Sequence, residues 1–174
     1  MSTCDNCGQP IVTIEETRTL CKPCEKLAER TNSIQITPIE VDDLELVLAW
    51  RSNPKIYNHF RQQDSPLDWD AHLSWYESRQ QDRHDFTINY EARRVGVVSI
   101  TANEEVSIYL GDFSARGNGV ATAALRWLCE RFKQRTPLIA EIHQDNIASK
   151  QLFEGCEFQQ CGRDGEWKKY SYDP

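Results

Sequence analysis

The run Arg116, Gly117, Asn118, Gly119, Val120, Ala121 constrains this chain more than any other stretch. It follows an extended apolar segment, Val106 to Leu110, and opens a pattern in which Ala121, Ala124, Leu125, Leu128 and Phe132 recur on one helical face. Strand, glycine loop and helix in that order predict an α/β domain. The first amides of a helix have no partner within it, and glycine lets a ligand approach them without a Cβ in the way. Such a loop is an anion site suited to a pyrophosphate.

The flanking elements follow from pattern. Ile34, Ile36 and Ile39 form a strand-like run, and Asp42 is placed to cap a helix bearing Leu44, Leu46, Val47, Leu48 and Trp50. Asn53 and Pro54 end that helix, and Asp68 starts another with Trp69, His72, Leu73 and Tyr76 at helical spacing. Phe86 to Tyr90, Arg94 to Thr101 and Val106 to Leu110 read as an antiparallel meander, with Asn103 and Glu104 in the last turn. Beyond the glycine loop come a strand (Leu138 to Ile142), a short helix (Asn146 to Phe153) and a hairpin (Glu157 to Tyr172) around Asp164 and Gly165. The order predicts a mixed, mostly antiparallel sheet with helices on both faces.

Asn146, Ser149, Leu152, Phe153 and Phe158 form a second spaced block. The loop and this block together resemble the acetyl-CoA signatures of the GNAT superfamily of N-acetyltransferases, from about Ile34 to the C-terminus. The resemblance implies the GNAT fold and acetyl-CoA as co-substrate. Pantetheine would lie between the strands around Tyr109 and Ile142, beside Leu110, with Arg116 and the amides of Gly117, Asn118, Gly119, Val120, Ala121 and Thr122 on the pyrophosphate. Asn146 would bond the pantetheine arm. Two positions depart from the pattern: Phe153 stands where many members have a tyrosine, and a phenyl ring cannot protonate a departing thiolate. Glu157 replaces the usual glycine before Phe158.

Within the superfamily, Trp50, Arg51, Asn53, His72, Tyr109 and Glu141 resemble positions of the UDP-4-amino-sugar N-acetyltransferases of the pseudaminic acid pathway, with His143 replacing a tyrosine. Alternate strand residues share a face, so Glu141 and His143 are expected to point together and to act as the acceptor-side base. Tyr109 is the candidate acid, and His72 completes the catalytic set. Each has a structural alternative: His143 paired to Glu141 at the surface, His72 packed on Trp75, Tyr109 filling core. Arg51, Arg61 and Arg79 are candidates for an acceptor diphosphate, or plain surface charge. Cys129 and Cys156 read as small buried hydrophobes. The acceptor is expected to be a primary amine, most plausibly on a nucleotide-linked sugar. A protein N-terminus or polyamine, or a CoA-binding module without chemistry, are the alternatives.

Ahead of this domain (34–174) lies a separate segment (1–31). Cys4 and Cys7 form one C-x-x-C and Cys21 and Cys24 another, thirteen residues apart (Gly8 to Leu20). Four thiolates at this spacing predict a closed tetrahedral zinc site, and the segment resembles a zinc ribbon that is structural or docks a partner protein. A charged stretch, Glu25 to Asn32, links it to the remainder. Acidic residues exceed basic ones by 27 to 20, a formal charge of −7, which disfavours nucleic acid as the main substrate. No apolar run reaches the ~18–20 residues that span a bilayer, and the N-terminus lacks a secretory pattern, so a cytoplasmic protein without membrane partners is expected.

Overall fold

The computed structural model describes residues 34–174, and the apolar alternations ahead of the glycine loop become four antiparallel strands in it. These are β1 (Ile34–Pro38), β2 (His84–Tyr90), β3 (Arg93–Ile100) and β4 (Val106–Leu110), in spatial order. The predicted meander is therefore present. Its first hairpin turns through Glu91 and Ala92 at φ 50° and 60°, a left-handed pair that ordinarily calls for Asn-Gly.

Past the loop, β5 (Leu138–His143), β6 (Gln159–Asp164) and β7 (Trp167–Tyr172) form a second sheet in the order β5-β7-β6. The hairpin predicted around Asp164 and Gly165 is its β6–β7 pair, with Gly165 at φ 59°. The single mixed sheet expected from the sequence is divided instead. β4 and β5 meet at one parallel bridge, Glu105 to Ile139, where the Ile139 amide donates to the Glu104 carbonyl at 2.9 Å. Beyond that bridge β4 bonds only to β3 and β5 only to β7, so their facing edges carry no ladder.

Five α-helices complete the described chain: α1 (Leu44–Arg51), α2 (Pro54–Tyr57), α3 (Trp69–Glu77), α4 (Val120–Arg131) and α5 (Ile147–Gly155). Asp42 does not cap α1. Glu40 and Asp43 form a reciprocal capping box around a short 3₁₀ turn, Val41–Asp43, and α1 continues from it. Pro54 does more than end a helix: the Asn53 side chain accepts from the Lys55 amide at 3.0 Å and starts α2, with proline at its first position, where no amide is needed. Asp68 caps α3 as expected, accepting from the Ala71 amide at 3.2 Å.

Two apolar clusters hold these elements on opposite faces. Val120, Ala124, Leu125 and Leu128 of α4 and Phe153 of α5 pack with Val95, Val98, Leu138, Ala140 and Ile142. Leu44 and Val47 of α1 pack with Ile39 and Val97, joined by Trp50, Leu73, Tyr76 and Tyr109. Cys129 and Cys156 are buried in the first cluster, and burial pushes the Cys129 thiol up to about 12, so these are inert apolar fillers as expected. Among the described residues no helix is long and apolar enough to cross a membrane. Cys4, Cys7, Cys21 and Cys24 lie outside the described residues.

Gly111 fixes how α1 meets the sheet. A Cβ there would overlap the Trp50 indole, which packs edge-on to Tyr109 with ring centroids 6.4 Å apart. Gly111→Ala is expected to displace Trp50 and cost about 1–3 kcal/mol, the usual range for overpacking, read as a fall in the denaturation midpoint.

Candidate active site

The divergence of β4 and β5 leaves a cavity of about 530 Å³ between them. Strand alternation gives it two chemically distinct faces. Val106, Ile108 and Leu110 of β4 and Leu138, Ala140 and Ile142 of β5 face α4 and α5 and are apolar. Glu105, Ser107 and Tyr109 lie on the other face, and the parallel bridge puts Ile139, Glu141 and His143 on that same face. The cavity therefore joins an apolar floor to a polar mouth.

At the far end of β4 the chain enters the glycine loop. Asp112 caps a 3₁₀ turn, Phe113–Ala115, by accepting from the Ser114 amide at 2.9 Å. Gly117 and Gly119 then adopt φ 74° and 76°, a left-handed geometry that only glycine takes at little cost. α4 starts at Val120 with no side-chain cap, unlike α2, α3 and α5, so its leading amides remain available to a ligand. Of the ten residues expected around a cofactor, Leu110, Arg116, Gly117, Gly119, Val120, Ala121, Thr122, Asn146 and Phe153 line this one cavity. Asn118 does not. Its amide nitrogen turns back to the Ser114 and Arg116 carbonyls at 3.4 and 3.2 Å, bracing the loop from behind.

Asn146 caps α5, its Oδ1 accepting from the Ser149 amide at 3.1 Å, which leaves its side-chain N–H groups to donate into the cavity. Phe153 is buried against Phe158, edge to face at 4.9 Å. Glu157 holds φ 70°, the conformation expected of the glycine it replaces, so the turn keeps its geometry at the expense of backbone strain.

The four residues expected to be catalytic divide. Tyr109 and Glu141 line the cavity; His72 and His143 do not. Tyr109 is flanked edge-on by Trp50 and Phe60, at 6.4 and 5.8 Å between centroids. Its hydroxyl is buried without a hydrogen-bond partner among the described residues, and burial holds its pKa far above the usual phenol range, so it stays protonated. Glu141 meets Arg61 at 3.1 Å and Lys169 at 3.5 Å. His143 shares a face with Glu141, as alternation requires, yet no bond joins them. Its Nδ1 accepts from the Asp145 amide at 3.3 Å and its Nε2 lies 3.6 Å from Glu166, with Trp167 edge-on to the ring. His72 is buried on α3, stacked on Trp75 at 5.3 Å, as the packing alternative holds. Burial, opposed by a hydrogen bond to the Leu44 backbone, lowers its pKa, so it is a neutral packing residue.

The three arginines considered for an acceptor diphosphate also part. Arg51 donates to Gln63 at 2.6 and 2.9 Å and covers the Phe60 ring at 4.1 Å, and Arg79 pairs with Asp85 at 3.3 Å; neither lines the cavity. Arg61 does, engaging both Glu141 and Asp164.

Sequence reasoning passed over two parts of the wall. One is the segment of α2 and its continuation, with Lys55, Ile56, His59 and Phe60. Its signal was Asn53-Pro54, read as a stop although it is equally a capped start. The other is Glu105, at the closed end of the cleft. Glu105 is an exposed residue, yet partial desolvation of its carboxyl, and then the charge of Glu141, raise its pKa above the ordinary value.

Comparison with known proteins follows the same outline. A model of a family described as the acetyltransferase (GNAT) domain matches residues 33–159. An uncharacterized protein of Methanocaldococcus jannaschii is 37% identical over 158 residues, which span 83% of this chain and 32% of that protein. The chain thus matches about a third of that relative's length. The crystal structure of a domain from the same organism superposes with a TM-score of 0.71 at 34% identity, covering 80% of this chain and 98% of the domain. Spermidine N-acetyltransferase from Vibrio cholerae, solved with CoA and spermine, superposes with a TM-score of 0.66 at 14% identity, covering 80% of this chain and 93% of that one, a likeness of fold.

Proposed function

The chain belongs to the acetyltransferase (GNAT) domain family, and from that premise we propose that it is an acetyl-CoA-dependent N-acetyltransferase acting on a primary amine. The cleft between β4 and β5 carries this reading. It is closed at Glu105–Ile139, unladdered along both facing edges, and ends at the uncapped start of α4. An extended arm bearing amides fits between two strand edges whose N–H and C=O groups have no ladder, and a diphosphate fits the helix amides beyond. Asn146 offers a donor to the arm.

The acetyl carbon would then sit near the polar mouth, under Glu105, Ser107 and Tyr109. Transfer is direct: the amine nitrogen forms the new C–N bond, the C–S bond breaks, and the ammonium proton passes to a carboxylate. We assign that proton to Glu105, with Glu141 beside it. Among the described residues Glu105 has no cationic partner within 4 Å, whereas Glu141 has two. The second proton on nitrogen passes to the thiolate sulfur as the C–S bond breaks. Phe153 has no proton to give, and the protonated Tyr109 hydroxyl is assigned as a hydrogen-bond donor near the sulfur that keeps its own proton.

For the acceptor, the resemblance at Trp50, Arg51, Asn53 and Glu141 favours an amino group on a nucleotide-linked sugar. A cationic polyamine is the second reading, favoured by two carboxylates at the cavity mouth. The zinc ion on Cys4, Cys7, Cys21 and Cys24, and a docking role for that segment, are proposals that rest on cysteine spacing alone. The test is acetyl-CoA consumption against UDP-4-amino sugars, polyamines and N-terminal peptides. Turnover is expected with one of these classes; CoA binding without turnover on any amine would favour the non-catalytic reading.

A further inference from the structure

Residues 55 to 61 cross the open end of the cleft as a strap, and five of them line its wall: Lys55, Ile56, His59, Phe60 and Arg61. The middle is anchored. Ile56 is buried, Phe60 packs on Tyr109 beneath the Arg51 guanidinium, and Gln63 ties the end of the strap to Arg51. One end is committed to protein, since Arg61 engages Glu141 and Asp164.

The other end is not. The Lys55 Nζ lies 6.0 Å from the Phe113 ring, whose centroid also has the Arg116 guanidinium 3.9 Å away. Among the described residues no carboxylate comes within 4 Å of Lys55, His59 or Arg116. Three basic side chains thus converge on the wall that also holds Gly117 and Gly119, with no countercharge. Lys55 and Arg116 are exposed cations with no carboxylate to hold them, His59 stands beside them, and a diphosphate between them would be attracted to both.

We propose that Lys55 and His59 form the second wall of the diphosphate site, gripping the CoA diphosphate from the side opposite the helix amides and Arg116. The proposal rests on the acetyl-CoA reading above and adds to it a second, basic wall for the cofactor. Partial desolvation, and then His143 and Arg116, hold the free His59 below its ordinary pKa. The groups around it are Arg116 from the loop, His143 from β5 with Asp145 and Glu166 beside it, and Lys55 and Arg61 from its own segment. A diphosphate raises the His59 pKa, so binding takes up a proton, and affinity falls as pH rises through the bound-state pKa.

The experiment is calorimetry on the full 174-residue chain with CoA, dephospho-CoA and pantetheine. Lys55→Ala and His59→Asn are each expected to weaken CoA and dephospho-CoA about five- to tenfold, to leave pantetheine unchanged, and to be rescued in part by Lys55→Arg. Between about pH 6 and about pH 8 the parent should lose more CoA affinity than His59→Asn does. Unchanged CoA affinity in both variants, or an equal loss for pantetheine, would overturn the proposal and leave the acetyl-CoA reading standing. A loss confined to CoA would move the contact to the 3′-phosphate and overturn the diphosphate assignment. A parent chain that binds none of the three would overturn the acetyl-CoA reading, and this proposal with it.

Discussion

Replacing Gly119 by valine is expected to lower CoA affinity by at least about a hundredfold, the equivalent of ~2.7 kcal/mol. The residue sits at φ 76° in the cavity wall, one position before α4. An L-residue in this conformation costs about 1–2 kcal/mol, and a β-branched one more. The loop therefore relaxes and takes the leading amides of α4 out of alignment. A charged acceptor is worth ~1.5–3 kcal/mol per hydrogen bond, so losing one or two of them suffices. Gly117→Ala measures the backbone strain of a single Cβ in the same loop. Gly117 is at φ 74°, but a Cβ there would meet nothing within 4 Å, so only backbone strain applies and the loss should stay near or below ~tenfold. Calorimetry with CoA checks both variants, with thermal denaturation confirming that each is folded. Gly119→Val binding CoA within about threefold of the parent would show that the start of α4 is not the diphosphate site.

What the sequence discloses of this site is what local chemistry encodes. A helix start that must receive an anion needs glycine at positive φ, so Gly117 and Gly119 are visible without a fold. Asn146, as the cap of α5, and Phe153, four residues before the turn at Glu157, are likewise set by spacing. The meander is legible because runs rich in β-branched residues bounded by turn residues report strands, although β2 and β3 prove to be buried on both faces. Its first turn is not, because Glu91 and Ala92 adopt left-handed geometry without the glycine or asparagine that advertises it.

Side-chain roles that depend on distant partners escaped the sequence. His72 and His143 have the right residue type for proton transfer, but one stacks on Trp75 and the other turns to Asp145 and Glu166. The stacking of His72 is the packing alternative that its spacing to Trp75 offered, whereas the turn of His143 toward Glu166 does not follow from spacing. Arg61 reaches residues 80 and 103 positions away, Glu141 and Asp164, and β7 inserts between β5 and β6 rather than following in chain order. Glu105 looks like a turn residue in the sequence. Only the bridge to Ile139 puts its carboxyl at the closed end of the cleft.

That placement leads to the second large effect: Glu105→Gln should reduce turnover at neutral pH by about a hundredfold or more, with CoA affinity unchanged. A proton acceptor must be ionised before the step and basic enough to take the proton. The Glu141 oxygens are already engaged by Arg61 at 3.1 Å and Lys169 at 3.5 Å, so they are not free to meet an incoming ammonium. Glu105 has no such cationic partner among the described residues, and partial desolvation of its carboxyl, then the Glu141 charge, raise its pKa. Because the active form is the ionised one, turnover with the best amine should rise with pH through a limb above the ordinary carboxylate range, and that limb should vanish in Glu105→Gln. Glu141→Gln removes the like charge and releases two cations near Glu105, so the limb should move to lower pH while turnover falls by only ~tenfold. If Glu141→Gln were instead the more damaging variant and the limb survived in Glu105→Gln, the proton would belong to Glu141 and the ion pairs with Arg61 and Lys169 would have to open during turnover.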